Sequence, residues 1–194
     1  MFSSQKYTSR TGDGVIRISP VQFFRKNIMN IFFLDEDSWL SAQYLCDKHI
    51  PKMLLETAQM LSTSYQRYRG IQKGLYKPAY ENHPMTKWVG DSFYNWCWTY
   101  CHAHALSDEY TFRFKKIHKT TSTALKVIDD LIEQKPFVED IFPRHYVFKK
   151  YNPPQCMPDQ YKDNDYVTAY RNYYRGEKTF AKWEKGRQQP EWWQ

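Results

Sequence analysis

Ten residues, DKHIPKMLLE at positions 47–56, set Lys48, His49, Lys52 and Glu56 among apolar neighbours. On a helix Lys48 and Lys52, then Lys52 and Glu56, fall four apart, so with His49 two cations, an imidazole and a carboxylate share one side. A solvated helix face reads this way, and so does one wall of an active site. Met53, Leu54, Leu55, Ala58 and Met60 crowd Glu56 with apolar atoms. Partial burial would raise its pKa and make it a candidate for electrostatic or acid-base work.

Two further stretches mix cations with aromatic rings. In KPAYENHPMTKW, residues Lys77, Asn82, His83, Lys87 and Trp88 fall on a loop and a helix start, where backbone N–H groups and cations can meet a phosphate. The alternatives are a plain turn at His83 and Pro84 and a core place for Trp88. Near the C-terminus, Tyr170, Arg171, Tyr173, Tyr174, Arg175 and Lys178 offer rings interleaved with cations, as base-stacking surfaces do, or a helix that packs its tyrosines inward. Lys and Arg outnumber Asp and Glu by 28 to 21, giving a net charge of +7 that favours polyanionic partners, and 18% of residues are aromatic.

The elements that must position these groups are mostly helical. The first 28 residues are polar and read as an extension or arm. An apolar run, MNIFFLDEDSWL, opens at Met29, and a single compact all-α domain is expected over residues 29–194. Trp39, Leu40, Tyr44 and Leu45 recur at helical spacing, and Pro51 falls in the first turn of a second run through Ser64, as two helices or one kinked helix. After a Gly- and Pro-containing loop, a long helix is expected after Pro84, from Met85 to Phe114, interrupted only at Gly90, then another at TTSTALKVIDDLIEQK with Thr caps. Residues 136–162 carry five prolines and read as a long irregular surface connection, and one or two short helices close the chain.

Cys46, Cys97, Cys101 and Cys156 form no C-x-x-C pair. Cys97, Cys101, His102 and His104 cluster on one helix, yet buried thiols account for them, and neither metal nor cofactor is expected. No run of about 18 apolar residues is present, and the basic N-terminus has no continuous apolar centre, so a soluble cytoplasmic monomer is expected. A phosphate-binding Gly loop, G-x-S-x-G, paired zinc histidines and the deaminase H-x-E with P-C-x-x-C are all absent.

The D-x-H pair Asp47 and His49, with Glu56 seven positions after the His, resembles the helix that carries the catalytic Glu in phage pyrimidine-dimer DNA glycosylases. NHPMTKW and AYRNYYRGEK are similar to the family's His-Pro loop and aromatic basic tail. The resemblance implies a compact α-helical enzyme that binds double-stranded DNA, extrudes a damaged or modified nucleotide and breaks its N-glycosidic bond, in the host cytoplasm if phage-encoded. It implies Glu56 as the carboxylate beside the sugar, with His49 and Lys52 holding phosphate or sugar. The resembling enzymes attack with the amine of a processed N-terminus, whereas here Met1 lies 55 positions before Glu56 and a start at Met29 leaves bulky Asn30 second. Base excision without strand cleavage is the expectation, with Glu56 or Asp35 activating water. A DNA-binding protein without catalysis and an enzyme of modified-nucleotide metabolism are the rival readings.

Overall fold

The computed structural model describes residues 29–134 and 152–194. The expected arm at 1–28 and much of the expected irregular connection lie outside the described residues. Every regular element among the described residues is helical, in keeping with the all-α expectation. They are α1 (Ser38–Tyr44), α2 (His49–Arg69), α3 (Pro84–Asp91), α4 (Phe93–Phe114), a π-helical turn (Thr121–Leu125) that runs into α5 (Lys126–Gln134), and α6 (Tyr166–Glu177). Single 3₁₀ turns occur at Asp159–Tyr161 and Glu191–Trp193.

Local chemistry accounts for the breaks. Asp37 Oδ1 accepts from Trp39 N and Leu40 N at 2.8 and 2.9 Å, capping α1. The second run is a separate helix, because the chain turns extended at Leu45 and residues 45–48 lie outside both α1 and α2. Gly70, at φ +75°, ends α2 in a conformation open to glycine. The expected interruption of the long helix falls at Ser92 instead of Gly90. Ser92 is extended, and its Oγ caps α4 by accepting from Asn95 N at 3.1 Å. Gly90 stays helical, and a side-chain carbon added there would meet Ser64 Cβ at 3.2 Å, so it serves the close packing of α3 on α2. The Thr caps expected before α5 are also corrected: the His118 ring accepts from Thr120 N at 3.1 Å, since its Nδ1 reaches the free amide two residues on.

The core is built around an extended segment. Residues 29–34 are all buried, and Phe33 is surrounded by rings. Trp98 stacks on it at 4.3 Å, while Trp88 at 5.2 Å and Tyr166 at 5.8 Å meet it edge-on. Such pairs add to the burial of the rings themselves. Trp88 therefore belongs to the core, which corrects its reading as a DNA-contacting ring: it projects from the buried face of α3 onto Phe33 and Trp98. Across the α1–α2 connection the fully buried Arg113 side chain donates to Gln43 O and Leu45 O, both at 2.8 Å, and pairs with Asp47 at 3.1 Å and Glu109 at 2.8 Å. Replacing Trp88 with Ala should cost about 3–5 kcal/mol, read as a lowered urea midpoint. A loss below about 1 kcal/mol would contradict this packing.

Candidate active site and nucleic-acid interface

Glu56 sits where α2 passes the buried segment. Its side chain keeps 16% of its accessibility, Oε1 lies 3.6 Å from Lys52 Nζ, and Oε2 accepts from Asn30 N at 3.4 Å. Burial raises its pKa above the ordinary value of 4.5, against the pull of Lys52 and the Asn30 amide. Asn30 is itself fixed: its Nδ2 donates to Cys156 O at 3.2 Å and its Oδ1 accepts from Tyr170 Oη at 3.2 Å. Tyr170 Oη also donates to Pro154 O at 2.7 Å. Met85 N at the start of α3 reaches both His83 Nδ1, at 3.2 Å, and Cys156. The first turn of α3 is thus joined to the Glu56 neighbourhood through Cys156 and Asn30.

His49 shares the helix but not the role expected of it. It is 5% exposed, its Nδ1 is 2.7 Å from Tyr174 Oη, and its ring stacks on Phe32 at 5.1 Å. Burial, then the charges of Lys178, Lys52 and Lys48, bring its pKa down to about 3, so it is neutral and holds no phosphate by charge. Asp47 likewise serves the fold, with Oδ1 paired to Arg113 and Oδ2 accepting from Glu184 N at 2.7 Å. Asp35 is engaged as well: it pairs with Arg171 at 3.2 Å and accepts from Asp37 N at 3.0 Å. That occupation disfavours Asp35 as the group that activates water.

The tyrosine platform expected on α6 faces inward. Tyr170 and Tyr174 are fully buried, and Tyr174 Oη accepts from Cys46 N at 3.0 Å. They cannot stack on bases, because the aromatic side of α6 packs against Phe32, Phe33 and His49. Arg171 Nε donates to Leu34 O at 2.8 Å, and its guanidinium lies against Tyr44 and Trp192. Arg175 is exposed and donates to Asn172 Oδ1 at 2.6 Å and to Trp192 O. Lys178 stands 4.5 Å over the Tyr173 ring and 5.5 Å over Phe32.

Lys48, Lys52 and Lys178 therefore meet around His49, next to Glu56. Lys77, Asn82 and Lys87 are exposed on the loop after α2 and on α3, where Lys87 acts on Asp91. His83 is the N-cap of α3, so its Nδ1 is an acceptor, and His83 with Pro84 marks a helix start. Two residues at this place were not singled out from the sequence. Asn30 carried no chemical signal, since its part is played by a main-chain nitrogen. Phe180, 44% exposed, was legible only as one ring among lysines in EKTFAKW. Among the described residues no group of His, Cys, Asp and Glu is arranged to hold a metal, no disulfide joins any of the four cysteines, and no helix is long and apolar enough to cross a membrane.

Residues 29–122 match the family model described as pyrimidine dimer DNA glycosylase. Over this segment, just under half of its length, the chain is similar to that family. The match opens at the buried segment and takes in Asn30, α2 with Glu56, and α3. No curated protein and no solved structure matches the chain.

The buried imidazoles set a pH dependence. Burial also lowers the pKa of His102, to about 4, while its Nδ1 binds Ser38 O at 2.8 Å. Both folded-state values lie below the ordinary 6.5, so below that pH the unfolded chain takes up protons that the folded one refuses. Stability should fall from about pH 6.5 downward, each group contributing a loss of about 2 kcal/mol by pH 5. Glu56, whose value is raised, contributes with the opposite sign. Urea midpoints at pH 7 and pH 5 check this: His102→Gln should flatten the slope, and an unchanged slope would contradict it.

Proposed function

We propose that this chain is a DNA glycosylase that excises a damaged or modified pyrimidine from duplex DNA, with Glu56 as the charged group at the sugar. The observation that carries the reading is the 3.4 Å approach of Asn30 N to Glu56 Oε2. It holds a partly buried carboxylate on the rim of a cationic surface, inside the segment matched by the glycosylase family. When the bond between C1′ and the base nitrogen breaks, the base leaves with the bonding electrons and positive charge develops on the sugar. A fixed, half-desolvated carboxylate stabilises that charge more than it stabilises the neutral substrate. Lys52 and Lys48 hold the flanking phosphates, which carry the charge they need to attract.

In the chain as it stands, Asn30 N is an amide whose lone pair is delocalised, so water is the attacking group. The water oxygen bonds to C1′ and Glu56 accepts its proton. In a chain whose first residue is Asn30, the same nitrogen would be an α-amine beside Glu56, able to replace water and form an imine that precedes strand cleavage. Met29 is buried in the core at 3% exposure, and the excision step alone is the reading adopted for the chain that retains it.

Glu56→Gln should reduce release of free base from ultraviolet-damaged duplex by 100-fold or more, about 3–4 kcal/mol, while duplex affinity stays the same or improves slightly. Base release at the original rate would overturn the assignment of Glu56. The acid limb of kcat/KM should have its midpoint above pH 4.5, because burial raises this carboxyl. Borohydride should trap no adduct between DNA and the full chain. An adduct formed only by a chain beginning at Asn30 would assign the amine route to that form.

A further inference from the structure

Residues 178–187 form a strap across the N-terminal end of α2, beyond the segment the family model matches. The strap is clamped at several points. Ala181 N donates to Lys178 O at 2.7 Å, closing a tight turn, and Asp47 N donates to Lys182 O at 2.9 Å. Glu184 N donates to Asp47 Oδ2 at 2.7 Å, Trp183 Nε1 to Tyr44 O at 3.1 Å, and Arg187 Nε to Glu109 Oε2 at 3.1 Å. At the tip of the turn stands Phe180, 44% exposed.

Folding gives little reason for a phenylalanine there. Turn tips favour Gly, Pro, Asn, Asp and Ser, and a ring held in water leaves much of its hydrophobic stabilisation unrealised. Its surroundings are those of a stacking surface. Lys48 Nζ lies 4.5 Å over the ring, the neutral His49 ring meets it edge-on at 5.5 Å, and Lys178 lies next to the Phe32 ring on which His49 stacks. Cations thus border a flat apolar surface, the pairing that a base with its phosphate requires. The surface is continuous with Glu56: Lys48, the N-cap of α2, Lys52 and Glu56 follow one another at four-residue spacing, which sets positions 48 and 56 roughly 12 Å apart along the helix axis at 1.5 Å per residue, with Phe180 at the Lys48 end.

We propose that Phe180 is a base-stacking residue of the DNA site, flanked by Lys48 and Lys178, on which a base near the reacting nucleotide rests when the duplex is opened at Glu56. The inference builds on the glycosylase reading and adds the ring that the buried tyrosines of α6 cannot supply. Stacking offsets part of the cost of unpairing, so it favours duplexes that are already disrupted.

The test is fluorescence anisotropy on the full chain, with a duplex that carries one tetrahydrofuran abasic analogue and with the same duplex undamaged. Phe180→Ala should weaken binding to the disrupted duplex by about 5- to 150-fold, the range of a lost base-aromatic stack, and should affect the undamaged duplex far less. Phe180→Trp should restore affinity, while Phe180→Leu, apolar but not flat, should not. The slope of log affinity against log salt should be unchanged in Phe180→Ala and shallower by about 0.9 in Lys48→Ala. Full affinity of the Ala variant, or equal losses on both duplexes, would overturn the proposal. If Phe180→Ala binds normally while Glu56→Gln still abolishes base release, only the stacking role is lost. If the wild-type chain releases no base yet shows the Phe180 pattern, the stacking role stands and the catalytic reading fails.

Discussion

A chain segment that is buried but not helical must find partners for its main-chain groups outside itself, and residues 29–34 impose that demand on the whole molecule. Ser41 Oγ accepts from Leu34 N at 3.1 Å and donates to Phe32 O at 3.0 Å. Arg171 donates to Leu34 O, and Glu56 accepts from Asn30 N. Helices α1, α6 and α2 each supply a side chain to the same six residues, so the positions of three helices follow from one extended segment. Phe33 adds the apolar half of the constraint by gathering rings from α3, α4 and α6. The carboxylate assigned to chemistry is one of these structural acceptors, which is why it is held still and half out of water.

A second set of constraints ties the C-terminal part to the start of α2. Arg113 carries no exposed side-chain surface, and its charge is met by Asp47 and Glu109, while Glu109 is shared with Arg187. A buried charge without such partners would cost several kcal/mol, so the four groups stand or fall together. Asp47 spends its second oxygen on the main chain of the strap. The strap therefore sits at the same end of α2 as Lys48 and His49, and its ring and cations are placed by hydrogen bonds to main chain.

Burial also divides labour along α2. His49 and Glu56 are two turns apart on one helix, yet one faces the rings of α6 and the other the edge of the buried segment. Desolvation acts on both, keeping the imidazole neutral and making the carboxyl a weaker acid. The neutral imidazole can lie flat against Phe32, and the lysines around it remain in solvent as the charged partners of a polyanion.

Helical periodicity determined the all-α class and most helices, because apolar residues recurring at three and four positions can be buried together only on a helix face. The spacing of Lys48, Lys52 and Glu56 was equally legible, since side chains four apart on a helix must lie on one side. The breaks were less so: Ser92 caps α4 through a side-chain bond that periodicity does not carry, while Gly90, the residue that reads as a breaker, is needed for the approach of α3 to α2. Which face of each helix turned inward was decided by tertiary packing. The tyrosines of AYRNYYRGEK read alike as platform or core, and only their placement against Phe32 and Phe33 buries Tyr170 and Tyr174. The approach of Asn30 to Glu56 joins positions 26 apart through a main-chain N–H that every residue type but proline possesses. No pattern of side chains encodes such a contact; it exists only once the buried segment has been laid against α2.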